Sequence, residues 1–180
     1  MHYQLSSPYL FHKFYISSDI LFPIFETNNT MHMETLHYSI EIKAPKATVW
    51  EKLWSEETYP IWTSAFDEGS RAESDWKEGS RILFLDGKGN GMVSTIEQND
   101  PYDYMAFRHL GSYRDGEEDF DSEATKEWSG AMETYRLDEK DGVTTLFVTV
   151  DTLEKYRGIM ENSFPKALEN VKSLAESDHP

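Results

Sequence analysis

The last helical stretch of the chain constrains the fold most strongly. Between Ser163 and Glu176, apolar residues recur every three or four positions, which predicts a helix with one apolar side. Ser163 is expected to cap this helix, and Pro165 suits its first turn, where an N–H has no intrahelical partner. A helix with one apolar side must cover another apolar surface, so the preceding chain has to supply one. The apolar side consists of Phe164, Ala167, Leu168, Val171, Leu174 and Ala175.

Alternating residues predict that surface. Residues 35–43 alternate between apolar and polar side chains, as a half-buried strand does. Two short helices are expected between Pro45 and Trp62, with Val49, Trp50 and Leu53 at helical spacing. The short turns that follow predict an antiparallel meander of six more strands. These strands are predicted at residues 71–76, 81–86, 92–98, 102–110, 127–137 and 143–151.

Two connections carry acidic patterns. Residues 111–123 are rich in Asp and Glu and are expected to form a long acidic loop. Its Asp119, Asp121 and Glu123 have the alternate spacing of a calcium loop, but the glycine and the distal glutamate of such a loop are missing, so no metal site is predicted. Asp151 and Glu154 are expected to form a capping box that opens a helical segment before the final helix.

Composition excludes several classes of function. The chain has 33 acidic and 17 basic residues, and its net charge of −16 argues against binding to nucleic acid or to an anionic membrane. Cysteine is absent, which excludes disulfides and thiolate chemistry and fits a cytoplasmic location. A zinc site of three histidines is excluded, because only His37 and His109 fall within the folded part, and His179 lies in the C-terminal tail. No cofactor is predicted.

The first 32 residues differ in composition from the rest, with seven aromatic and three charged side chains. Their apolar run at 20–25 is interrupted by Pro23 and is too short to cross a membrane, so no membrane insertion is expected. Residues 1–32 are interpreted as an extension outside the fold, partly disordered; alternatively, translation starts at Met31 or Met33. The folded domain is then expected at 33–180.

Four short segments carry a resemblance to a known family: IEIKAPKATVW at 40–50, WKEGS at 76–80, ETY at 133–135 and FPKAL at 164–168. Through them and the order of elements, residues 34–176 resemble the START-like superfamily, also called SRPBCC or birch-pollen-allergen-like. The chain is most similar to the branch named after the activator of the heat-shock-90 chaperone ATPase. The resemblance implies an α+β helix-grip fold: a curved antiparallel sheet of six to seven strands around a long C-terminal helix, with two short helices after the first strand.

The resemblance also implies a cavity between the sheet and the final helix that holds a small apolar molecule. The chaperone-activating role belongs to members with an additional N-terminal domain, which residues 1–32 do not resemble, so that role is not transferred. Large apolar side chains are the expected lining, with Tyr156 and Met160 near the entrance. The expected lining is Trp62, Phe84, Met92, Tyr104, Phe107, Trp128, Met132, Tyr135, Tyr156, Met160, Phe164, Leu168 and Val171.

Glu133 and His109 are the candidate catalytic residues. Two-residue periodicity places Glu133 and Arg136 on opposite faces of one strand, so one of the two charges must point inward. An inward charge needs a partner or a function. Glu133 is either an acid–base group in the cavity or a partner in an ordinary cross-strand pair. His109 is either a general base at the cavity mouth or a structural, hydrogen-bonded histidine.

Three functions follow from these observations. The favoured one is a small binding protein for a hydrophobic or amphipathic molecule, without catalytic activity. The second is an enzyme of the cyclase or hydrolase type that uses Glu133 or His109. The third is a chaperone-associated interaction domain whose acidic surface binds a basic protein partner.

Overall fold

The computed structural model describes residues 32–177, so the predictions for residues 1–31 lie outside it. A 3₁₀ turn at Glu154–Tyr156 leads into the last helix. The helices are α1 (Lys46–Trp54), α2 (Tyr59–Thr63), α3 (Glu123–Lys126) and α4 (Arg157–Ser177). The strands are β1 (Met33–Ile42), β2 (Arg71–Glu73), β3 (Arg81–Leu85), β4 (Gly91–Asp100), β5 (Tyr104–Arg114), β6 (Glu117–Asp119), β7 (Met132–Lys140) and β8 (Val143–Leu153).

The eight described strands form one antiparallel sheet. Its order is β1-β8-β7-β5-β4-β3-β2, with the three-residue β6 paired to β5. The first strand therefore lies beside the last one, and the strands between them follow as a meander. Together with the two short helices after β1 and the long C-terminal helix, this arrangement confirms the predicted α+β helix-grip fold.

One face of the sheet, called the inner face below, packs against α1, α2 and α4. Residues directly opposite each other on paired strands share a face, and the row Ile40, Leu146 and Leu137 belongs to the main hydrophobic core. The predicted apolar side of α4 meets this face; the Tyr38 ring, for example, stacks on Phe164 with ring centroids 4.7 Å apart. Phe164, Ala167, Leu168, Val171 and Ala175 are all buried.

The start of α4 differs from the prediction. The helix begins at Arg157, so Ser163 does not cap it and Pro165 lies inside it. Pro165 lacks the N–H that would bond the carbonyl of Glu161, but both residues are exposed, so water can satisfy that carbonyl. Ser163 is buried among the core residues instead. The stretch on either side of the proline is therefore one continuous helix.

The predicted acidic loop is largely ordered secondary structure. Strand β5 continues to Arg114, turns through Asp115 and Gly116, and returns as β6. Asp115 and Gly116 have φ angles of 52° and 85°, the left-handed pair that a two-residue hairpin requires. Asp-Gly is a strong hairpin signal, and the acidic composition of the segment obscured it. The strand predicted at 127–137 begins only at Met132, because α3 and the turn that follows it occupy residues 123–130.

Asp119 stabilises the connection between β6 and α3. Its Oδ1 accepts hydrogen bonds from the N–H groups of Asp121 at 3.0 Å and Ser122 at 2.9 Å. Ser122 in turn caps α3 by accepting from the N–H of Thr125. The hydrogen bonds from the Ser122 hydroxyl, and then from the backbone N–H groups, lower the pKa of Asp119 to about 2. The carboxylate therefore has a local structural role.

We predict that Asp119→Asn lowers stability most at neutral pH. Because the folded-state pKa lies below the usual 3.8, the ionised carboxylate stabilises the fold above that value, and this contribution disappears as the pH falls towards about 2. Urea titrations of both proteins over this pH range measure the difference. Asp121→Asn is the matched control, since Asp121 contributes its backbone N–H to this turn. A stability difference that does not change with pH would contradict the assignment.

The predicted capping box at Asp151 is not formed. Asp151 lies in β8, where its carboxylate accepts from the Thr35 hydroxyl at 2.6 Å and from the N–H of Met132 at 3.0 Å. Leu153 occupies the cap position of the 3₁₀ turn and makes no side-chain cap bond. The carboxylate thus joins β1, β7 and β8 and is not available to a helix.

Candidate functional site

The sheet register places Glu133 on the inner face. Glu133 lies opposite Phe107 on β5 and Val150 on β8, both of which belong to the main core. Arg136 has the other orientation: its guanidinium lies over the Phe147 ring, 4.2 Å from the centroid, and pairs with Asp138. Of the two charges on this strand, the carboxylate is therefore the one that points inward.

A chain of polar side chains extends from Glu133 into the core. The Tyr135 hydroxyl donates to Oε1 of Glu133, and Nε2 of His109 lies 3.4 Å from Oε2. On the far side of the imidazole, Nδ1 of His109 is 2.8 Å from the Ser94 hydroxyl. The tautomer with its proton on Nε2 suits both contacts, because Ser94 then donates to Nδ1. We call Ser94, His109, Glu133 and Tyr135 the inner polar chain.

The inner polar chain is deeply buried except at Glu133. Ser94, His109 and Tyr135 are 0%, 4% and 1% exposed, whereas the side chain of Glu133 is 18% exposed. Within residues 32–177, no lysine or arginine lies within ion-pair distance of the carboxylate, and His109 is its one basic neighbour. Solvent thus reaches the inner polar chain at the Glu133 carboxylate, which has no permanent cationic partner among these residues.

Aromatic rings lie beside the inner polar chain. Phe107 lies opposite Glu133, and the Phe84 ring is 5.1 Å from Phe107 and 6.0 Å from His109. Tyr59 of α2 stacks on Phe84 at 6.5 Å, which brings a second phenol towards the inner polar chain. Phe84 is only half-buried, so it forms part of the border of the core.

Trp54 of α1 lies at the centre of the aromatic core. Its ring is 4.9 Å from Tyr135 and 5.5 Å from both Trp76 and Phe107. The indole Nε1–H of Trp54 is buried and has no hydrogen-bond acceptor among the described residues. An unpaired buried donor costs free energy, so this N–H is a second polar group beside the inner polar chain that is free to bind an acceptor.

Burial and the Glu133 carboxylate together raise the pKa of two tyrosines well above 10. For Tyr59 the causes are burial first and then the Glu133 charge. For Tyr135 the same causes apply, in the same order, and the hydrogen bond to Glu133 adds to them. Both phenols are thus held in the protonated form, and Tyr135 remains a donor to the carboxylate at physiological pH.

We predict that neither tyrosine ionises while the protein is folded. In an alkaline absorbance titration, a Tyr59→Phe/Tyr135→Phe variant should show the same tyrosinate signal as the wild type until unfolding begins. Because the folded-state pKa values are raised, stability is intact below pH 10 and falls as the pH rises above it. A native signal that is smaller by two tyrosines in the variant would contradict this account.

Most of the lining predicted from the sequence lies in or against the core. Met92 is half-buried opposite Phe84, and Met160 is half-buried against the core. Trp62 is buried and donates its indole N–H to the carbonyl of Leu53 at 2.9 Å. The other predicted residues in this group are Phe84, Phe107, Tyr135, Phe164, Leu168 and Val171.

Four predicted lining residues lie elsewhere, contrary to the sequence analysis. Tyr104 is opposite Arg136 and Met132 is opposite Arg108, so both lie on the outer face of the sheet. Trp128 follows α3 in a turn, because β7 begins only at Met132. Tyr156 lies in the 3₁₀ turn, with Lys155 over its ring at 5.1 Å.

Sequence reasoning missed Ser94 as a site residue and did not assign Trp54 and Tyr59 to the site. Ser94 lies two residues from both Met92 and Ile96 and therefore shares their face of the strand. A polar residue in this apolar row was a usable signal. The sequence could not predict that His109 lies opposite Ser94, because a register shift between Val93 and Ser94 changes the pairing of β4 with β5.

Two surface grooves lie away from the inner polar chain. One, of about 260 Å³, includes Tyr104, Arg136 and Phe147 on the outer face. The other, of about 330 Å³, runs between α2 and α4 and includes Ile61 and Leu174. Neither groove includes a member of the inner polar chain, and neither lies between the sheet and α4, where the sequence analysis expected the ligand cavity.

The model of the family described as "Activator of Hsp90 ATPase homolog 1-like protein" matches residues 43–176. The chain belongs to this family. Its structure supports the wider START-like, or SRPBCC, assignment made from the four sequence segments. No protein of curated function matches the sequence.

Solved structures share the fold at low sequence identity. Protein MLL2253 from Mesorhizobium loti has a TM-score of 0.63 and 14% identity, over 82% of this chain and 100% of that one. The Aha1 dimer from Colwellia psychrerythraea has a TM-score of 0.62 and 14% identity, over 82% of this chain and 99% of that one. DynU16, from the dynemicin biosynthetic locus, has a TM-score of 0.59 and 15% identity, over 81% of this chain and 48% of DynU16. These likenesses establish the fold.

Two other kinds of site are absent from residues 32–177. No three acidic or histidine side chains converge in a way that could hold a metal ion. No helix there combines the length and apolar character needed to cross a bilayer.

Proposed function

We propose that this domain binds an amphipathic small molecule at the border of its core, with Glu133 as the polar anchor. The observation that carries the proposal is the inward carboxylate of Glu133, which is partly exposed and has no lysine or arginine partner among residues 32–177. A partly buried charge without a cationic partner lowers the stability of the fold, and such charges are concentrated at functional sites. The family fold supports a ligand-binding domain, and the cytoplasm is its expected location.

The apolar part of the ligand would contact the half-buried rim of the core. Phe84, Trp76 and Met160 pack against the core and retain exposed surface. Apolar burial would supply most of the affinity, while Glu133 would orient the polar end. DynU16, which has the same fold, comes from the dynemicin biosynthetic locus, and this is in keeping with a small-molecule ligand.

A second candidate function is acid–base catalysis. The order Ser94, His109, Glu133 links a hydroxyl, an imidazole and a carboxylate through contacts of 2.8 and 3.4 Å. A carboxylate beside an imidazole can accept a proton from a bound substrate and return it. This candidate needs the same ligand site, so a bound molecule must be found first.

The third candidate, an interaction domain for a basic protein partner, stays a prediction. The net charge of −16 favours such a partner, and the family takes its name from an activator of a chaperone. A pull-down at low and high salt tests it, because association through an acidic surface weakens as salt rises.

Native mass spectrometry of protein purified gently from its own cells tests the binding proposal. We expect a co-purified small molecule on the wild type and a marked loss of it from Glu133→Gln. Glu41→Gln is the matched control, because Glu41 is exposed and lies at the edge of the sheet on β1. A clean apo mass for the wild type, or equal loading of both variants, would contradict the proposal.

A further inference from the structure

The surroundings of Glu133 specify the charge of the ligand more narrowly than the fold does. Its carboxylate has one oxygen bonded to the Tyr135 hydroxyl and the other 3.4 Å from Nε2 of His109. Neither neighbour is a permanent cation. A partly buried carboxylate gains most from a partner that neutralises its charge, and an anionic ligand group would be repelled by it.

The rings around the carboxylate have the same preference. Phe107 and Tyr135 pack against Trp54, and Phe84 and Tyr59 extend this aromatic cluster towards the border of the core. The face of an aromatic ring carries partial negative charge and attracts cations, most strongly where water is excluded. Glu133 lies opposite Phe107 and is bonded to Tyr135, so its carboxylate is at the margin of this aromatic cluster, a setting that favours an organic cation over a neutral group of equal shape.

The charge of the whole chain acts in the same direction. With 33 acidic and 17 basic residues, the surrounding potential is negative and raises the local concentration of cations. The three observations differ in kind: the contacts of one carboxylate, the arrangement of neighbouring rings and the overall charge.

We propose that the ligand carries a protonated amine or a quaternary ammonium group, which binds beside Glu133 and against the exposed part of the Phe84 ring. Its apolar part then contacts other half-buried side chains at the border of the core, of which Trp76 and Met160 are candidates. This inference rests on the proposed binding function and adds the chemical class of the ligand to it.

Two matched probes test the charge preference. Trimethyl(2-phenylethyl)ammonium carries the cation, and (3,3-dimethylbutyl)benzene is its neutral carbon isostere. Binding of each is followed by the change in tryptophan fluorescence. We expect the cation to bind the wild type roughly tenfold more tightly or better, as expected for a desolvated cation among rings beside a carboxylate. Glu133→Gln should remove this preference, and Glu41→Gln should keep it.

A second variant separates the ring faces from the carboxylate. Phe84→Leu keeps an apolar side chain of similar bulk but removes a π face, so it should weaken binding of the cation and leave the neutral isostere largely unaffected. Thermal unfolding of each variant confirms that it is folded before binding is compared. If Phe84→Leu weakened the binding of both probes equally, this would contradict the proposed role of the ring.

The outcomes distinguish the two proposals. Equal binding of both probes, or a preference that survives Glu133→Gln, overturns the ammonium inference while small-molecule binding stands. Failure of both probes to bind overturns it as well. If mass spectrometry finds a neutral or anionic molecule on the natural protein, the ammonium inference is overturned, whereas the binding function is supported.

Discussion

Replacing Leu168 by alanine is expected to lower the free energy of unfolding by about 2–5 kcal/mol, the usual cost of removing a buried leucine side chain. Leu168 is 3% exposed and belongs to the side of α4 that packs against the core. The neighbouring core residues belong to α1, α2 and several strands, so the cavity cannot close by the movement of one loop. Chemical denaturation of the purified protein measures the change.

Glu169→Ala is the control for this prediction. Glu169 is the next residue of α4 and is exposed, so its replacement by a good helix former should change stability by no more than about 0.5 kcal/mol. If Leu168→Ala were as mild as the control, the interior beneath α4 would not be close-packed. The helix would then not be the main support of the inner face.

The second large effect is expected from removing the polar pair beside the site. Glu133→Leu alone leaves the buried Tyr135 hydroxyl without its acceptor, which costs about 1–3 kcal/mol and offsets the gain from removing a buried charge. Glu133→Leu/Tyr135→Phe replaces both partners by apolar groups. Because the double variant also removes the contact of the buried His109 Nε2 with the carboxylate, we expect it to be more stable than Glu133→Leu and within about 1 kcal/mol of the wild type, and to lose ligand binding completely.

A double-mutant cycle with the two single variants provides the comparison. Glu133 and Tyr135 are in direct contact, so their effects on stability should be strongly non-additive. A double variant less stable than either single one would mean that the carboxylate supports the fold. The argument that Glu133 is present for binding would then fail.

The sequence predicted the parts of the fold that follow from periodicity. Alternation identified β1, and short turns predicted the meander that ends in β8. The three-to-four spacing identified the buried side of α4 from Phe164 to Ala175. It did not locate the start of α4, because Pro165 resembles a helix start and is tolerated inside the helix where its neighbouring carbonyl faces water. Tertiary packing extended the helix through the proline.

The candidate site was predictable only in part. Parity along β7 limited the inward charge to Glu133 or Arg136, but the choice needed the pairing of β7 with both neighbours. The same pairing moved Tyr104 and Met132 to the outer face. The contact of His109 with Ser94 depends on the register shift between β4 and β5, which no local pattern predicts. Networks across strands therefore required the structure.

The most direct test of the central claim is to locate a bound probe by its effect on individual side-chain N–H signals. The five tryptophan indole signals and that of Arg136 are assigned by single replacement, and each ammonium or neutral probe is then titrated into the labelled protein. The inner site predicts that the Trp54 and Trp76 signals shift with the probe while the Arg136 signal, in the outer groove, does not. A shift of Arg136 with unchanged Trp54 and Trp76 signals would place binding on the outer face and contradict the account.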